Sequence, residues 1–127
     1  DHLEAAETAL EAAKRAHKLT TLTPLGIDES DEFIKTLFVR FAMSPELREI
    51  NGIIRKAAND SSEYELKPHL SLLYKKLAAP IRTELAALIH VPFSEISFNS
   101  LQAIRCVSPT LTHADVAEWE LVSSRSL

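Results

Sequence analysis

Three stretches with apolar residues at helical spacing are separated by short β-branched and aromatic runs, and this order restricts the chain to an α+β fold with mostly antiparallel pairing. A parallel sheet needs a crossover between every two strands, which the predicted order α-β-β-α-β-α-β-β does not supply. The first helix is expected from Asp1 to about Lys18: Leu3, Ala6, Ala9, Leu10, Ala13 and Ala16 recur at helical spacing. Glu4, Glu7 and Glu11 come early in it and Lys14, Arg15 and Lys18 late, as the helix dipole favours. Leu19–Thr23 follows as a strand stopped by Pro24 and Gly26, Asp28–Glu32 as an acidic loop, and Phe33–Phe41 as a buried strand paired with the preceding one. Ser44-Pro45-Glu46 has the form of an N-cap with proline at the first helical position, and Leu47, Ile50, Ile54 and Ala57 give that helix its apolar stripe to near Asn59. After the polar segment Asp60–Leu66 come a strand containing His69 and a third helix from Pro80 to about Ile89, with Ile81, Leu85 and Leu88 inward. A long strand from Glu95 to Val107, a loop from Ser108 to Asp115 and a last strand from Val116 to Ser123, carrying Trp119, complete the chain.

At 127 residues the chain is sized for a single domain, residues 1–127, of two small lobes. Its 46% hydrophobic and 25% charged residues are ordinary for a soluble globular protein. No run approaches the ~20 apolar residues that span a bilayer, so no membrane partner is expected. Eighteen acidic against fourteen basic residues, a net charge of -4, argue against a long basic groove for nucleic acid and leave room for a small anionic ligand. The single cysteine, Cys106, forbids an internal disulfide and fits a reducing compartment, the cytoplasm being the simplest. Its strand-like setting, Ile104-Arg105-Cys106-Val107, predicts a buried structural thiol.

The chemistry concentrates in Pro68-His69-Leu70-Ser71-Leu72-Leu73-Tyr74. A strand alternates its side chains, so His69 and Ser71 share a face while Leu70 and Leu72 are expected to point into a core. That face offers an imidazole that moves protons near neutral pH and a hydroxyl able to donate to a phosphate oxygen. His2, His17, His90 and His113 have no serine or threonine two positions on, so the motif occurs once. No second His, Cys or carboxylate stands at ligand spacing around His69, and neither a metal nor another cofactor is expected. Lys67, Lys75 and Lys76 flank the motif and read as solvated surface, Trp119 as packing, and His17 and His113 as surface residues.

This segment resembles the second signature of the two-histidine phosphoesterase superfamily, in the cyclic phosphodiesterase branch known from plants and yeast. The opening alanine-rich helix, the Ser-Pro-Glu helix start, and the Leu101-Gln102-Ala103-Ile104-Arg105-Cys106 and Ala117-Glu118-Trp119-Glu120 stretches also sit where that branch has them. The resemblance implies a bilobed α+β fold in which two antiparallel sheets, with flanking helices, each lend one histidine motif to the floor of a cleft. The family's first motif lies on a strand just ahead of such an opening helix, so that strand is expected upstream of Asp1.

The implied activity is metal-independent hydrolysis of a cyclic phosphodiester, a nucleoside 2′,3′-cyclic phosphate or ADP-ribose 1″,2″-cyclic phosphate, to a phosphomonoester, by a monomer. By the same resemblance His69 activates water, Ser71 donates to the phosphate, and Tyr74 contacts the substrate. Tyr74 has the opposite parity to His69 and reaches the cleft only where the strand bulges or ends. The alternatives are an RNA end bearing a 2′,3′-cyclic phosphate, as in the RNA-processing branch named for ligase activity, and a non-catalytic nucleotide-binding relative. The acidic net charge favours the small nucleotide.

Overall fold

A computed structural model describes residues 2–16 and 20–127 of the chain. Helix α1, His2–Ala16, buries Ala9, Leu10 and Ala13 and packs on helix α2, Pro45–Ala57, which turns Ile50 inward. The start of α2 is set locally. Ser44 Oγ accepts from the Leu47 amide at 3.0 Å, and Pro45 at the first helical position forfeits an N–H that would have lacked a partner anyway. At its other end Asn59 takes φ +54°, a left-handed conformation that asparagine tolerates. Replacing Ser44 with alanine is expected to cost about 1 kcal/mol of stability, read as a lower urea midpoint at constant slope.

Strands β1 (Thr20–Leu22), β2 (Pro24–Glu29), β3 (Leu37–Phe41), β4 (His69–Leu73), β5 (Ile96–Phe98), β6 (Ser100–Arg105) and β7 (Glu120–Ser126) pair antiparallel throughout. Among the described residues they form three sheets, β1-β5, β2-β3-β4 and β6-β7, where the family resemblance implies two. Helix α3 (Ala79–Leu88) packs on β2, and the short helix α4 (His113–Ala117) precedes β7. The core gathers where β1, β3 and β5 meet. Leu22, Val39 and Phe41 are buried there, with Leu47, Phe93, Ile96 and Phe98 packed around them.

The α+β class and antiparallel pairing follow the sequence, but several elements are drawn differently by long-range contacts. Phe33–Lys35 is a 3-10 turn rather than the start of a strand, because side-chain hydroxyls hold its backbone. Ser30 Oγ donates to the Lys35 carbonyl at 2.5 Å, and the Thr36 hydroxyl donates to the Lys75 carbonyl at 2.5 Å with the Phe33 carbonyl 3.1 Å away. The strand beside β3 is β2, not the Leu19–Thr23 run, whose residues 20–22 pair with β5 instead. Pro24 is tolerated as the first residue of β2, and Gly26, at φ +150°, sits at a shift in register. The acidic loop expected at Asp28–Glu32 begins as strand: Asp28 meets Arg40 across the sheet at 3.6 Å and Glu29 meets Arg82 at 2.5 Å. Leu19, where the sequence predicts the first strand to begin, lies outside the described residues, as do His17 and Lys18.

The long strand from Glu95 to Val107 is broken at Asn99, its halves serving different sheets. The expected loop before the last strand contains α4, opened by a capping box in which Thr112 Oγ1 accepts from the Asp115 amide while the Asp115 carboxylate accepts from Thr112. The Leu111 amide, followed by the Thr112 hydroxyl and amide, holds the Asp115 carboxyl below its ordinary pKa. Trp119 precedes β7 instead of riding in it. In α3 Ile81 and Leu88 are 48% and 65% exposed, contrary to the predicted inner face, since Arg82 makes the anchor to β2. Cys106 is exposed, just past the end of β6, and not buried.

Candidate active site

Strand β4 is the edge of its sheet, bonded on one side to β3. The register sets His69 opposite Arg40 and Ser71 opposite Phe38, while β2 sets Asp28 opposite Phe38. Directly paired residues share a face, so Asp28, Phe38, Arg40, His69 and Ser71 line one side of the sheet. Leu70, opposite Val39, takes the other side, yet Leu70 and Leu72 are 37% and 45% exposed and do not enter a core as expected. An edge strand has neighbours on one flank only, so its side chains are covered by half.

His69 is exposed, its ring meeting Phe38 edge-on at 5.7 Å between centroids. Nδ1 lies 3.0 Å from the Lys67 carbonyl oxygen. A carbonyl only accepts, so this contact is a hydrogen bond when Nδ1 carries the proton, and the neutral ring then presents Nε2 as a bare lone pair. Three adjoining hollows share His69 and Lys67 in their walls. One, of about 320 Å³, is lined by Leu22, Phe41, Leu47, Ile50 and Phe98. The second, of about 400 Å³, shares Tyr64 with the first and adds Glu32, Lys35 and Glu65, and the third, of about 470 Å³, has Phe38 with Asp28, Lys35 and Arg40.

Ser71 lies on the His69 face but is absent from all three walls. Its Oγ is half-buried and donates to the Ile34 carbonyl at 2.7 Å, tying β4 to the 3-10 turn. Tyr74 follows the last residue of β4 and packs away from His69, its ring 6.2 Å from Phe33 and 6.0 Å from Trp119. Trp119 Nε1 donates to Thr110 Oγ1 at 3.1 Å, and His113 is exposed with its ring edge on Phe33 at 5.2 Å. Thus the aromatic cluster and the imidazole sit at opposite ends of β4. Lys75 and Lys76 border none of the three hollows, whereas Lys67 borders each.

Lys35 and Arg40 carry no functional signal in the sequence. Both sat inside what reads as a buried strand, and the 3-10 turn that redirects Lys35 depends on bonds to residues 37 and 39 positions away. Among the described residues no group of three or more His, Cys, Asp or Glu is placed to hold a metal ion. No protein-family model matches the chain, and no curated protein matches it.

Proposed function

We propose that the chain is a metal-independent cyclic phosphodiesterase that opens a nucleoside 2′,3′-cyclic phosphate, with His69 as the base that activates water. The observation that carries this reading is the Lys67 carbonyl at Nδ1, which favours the tautomer with a free Nε2 in a ring that borders three hollows. Nε2 takes a proton from water as the water oxygen bonds to phosphorus. The bond from phosphorus to one ribose oxygen breaks, and a second proton donor returns a proton to that oxygen, leaving a phosphomonoester and a free hydroxyl. In the family resembled, the second donor is the histidine of the partner motif; this sequence has one such motif.

Incubating the protein with 2′,3′-cyclic AMP in excess EDTA is expected to give a phosphomonoester, resolved by phosphorus NMR, at the rate seen without chelator. A rate abolished by chelator would remove the metal-independent mechanism. The single His-x-Ser favours one further reading, a nucleotide-binding relative without turnover. Saturable binding of the cyclic nucleotide with no product formed would select it over the enzyme.

A further inference from the structure

Around His69 the charges are unevenly distributed. The hollow floored by Phe38 is bordered by three cations, Lys35, Arg40 and Lys67, and by one carboxylate, Asp28. Arg40 already faces Asp28 at 3.6 Å, and among the described residues neither lysine ammonium is in an ion pair. In the neighbouring hollow the same two lysines stand with Glu32 and Glu65, so the surplus of positive charge lies on the Phe38 side. Lys35 is also fixed. Its Nζ sits 4.6 Å over the centre of the Phe38 ring, the ring whose other neighbour is His69. The backbone turn beneath it is pinned on either side, by Ser71 to the Ile34 carbonyl and by Thr36 to the Lys75 carbonyl.

We propose that the hollow between Lys35, Lys67 and His69 is an anion site that holds a phosphate group, with the two ammonium groups as its ligands and Ser71 acting only through the turn that presents Lys35. A hydroxyl has one proton, and that of Ser71 is given to Ile34. Its acceptor lone pairs do not attract an anion. The two lysines supply the charge that an anion needs and reach the same side of the sheet as the imidazole that would act on it. That the phosphate belongs to a cyclic nucleotide rests on the function proposed above; that the hollow binds inorganic phosphate does not.

The test uses inorganic phosphate itself, titrated into the full chain by amide NMR or calorimetry at low salt, for the wild type and for Lys35→Gln, Lys67→Gln, Lys76→Gln and Ser71→Ala. Expected are saturable binding by the wild type, weakening by roughly tenfold in each of Lys35→Gln and Lys67→Gln, and loss of affinity as salt rises. Lys76→Gln serves as the control and should bind as the wild type does; Lys35→Arg should restore most of the affinity. No binding by the wild type would overturn the proposal, as would unchanged affinity in both glutamine variants, or a loss confined to Ser71→Ala. Cyclic-nucleotide turnover is scored separately, so a binding site without hydrolysis removes the enzyme reading and spares the anion site. Hydrolysis with indifferent lysines does the reverse.

Discussion

Replacing His69 with alanine is expected to lower kcat/KM on a 2′,3′-cyclic nucleotide by about 10²- to 10⁴-fold, the usual worth of one positioned proton-transfer group. The loss is chemical rather than structural. His69 is exposed on an edge strand, and among the buried core residues its ring meets Phe38, from the outer side. Its side chain bonds the Lys67 carbonyl, which can turn to solvent. The urea midpoint of the variant should therefore stay near that of the wild type while turnover disappears. A variant that folds and still hydrolyses the cyclic phosphate at wild-type rate removes His69 from the mechanism.

The largest expected change in stability comes from Phe41→Ala, at about 3–5 kcal/mol, the range for truncating a buried aromatic. Phe41 is 4% exposed and clusters with Leu22 and Val39. Its ring stacks on Phe93 and meets Phe98 edge-on, both at 6.4 Å, so one side chain joins β3 to β5 and to the segment after α3. Because Phe41 also borders the 320 Å³ apolar hollow, neighbours cannot close fully over the void its removal leaves. Urea unfolding followed by Trp119 fluorescence measures the cost, and a loss under 1 kcal/mol would mean that this contact does not hold the sheets together.

The two variants divide the molecule by range of interaction. Activity is assigned to a residue whose meaning is legible in a seven-residue window, and stability to one whose partners lie some fifty residues away in sequence. The candidate site divides in the same way. His69 and the parity that sets it beside Ser71 are visible in the pattern Pro68–Tyr74, and the register of β4 against β3 agrees with that parity. The acceptor of the Ser71 proton was not visible, because Ile34 is brought to it by a turn rather than by sequence proximity. Nor was Lys35, whose place over Phe38 arises from that same turn. Lys67 is a flanking lysine in sequence and becomes a wall of three hollows only when residues distant in sequence, such as Lys35, are brought beside it.

Local chemistry alone determined α2 and its limits. Apolar spacing, the Ser44 cap, Pro45 and the left-handed Asn59 act within one or two turns, so α2 is where the sequence predicts it, and the strand character of His69–Leu73 is equally local. Which strands pair, where Glu95–Val107 breaks, and which apolar residues are covered were decided by tertiary contacts. Strand pairing is a competition between segments far apart in the chain: β1 finds β5, β2 finds β3, and the acidic start of the expected loop becomes strand once Arg40 and Arg82 face its carboxylates. Burial follows the same rule, which is why Cys106, Leu70 and Leu72, apolar in a strand-like pattern, lie at edges and ends where no second layer covers them.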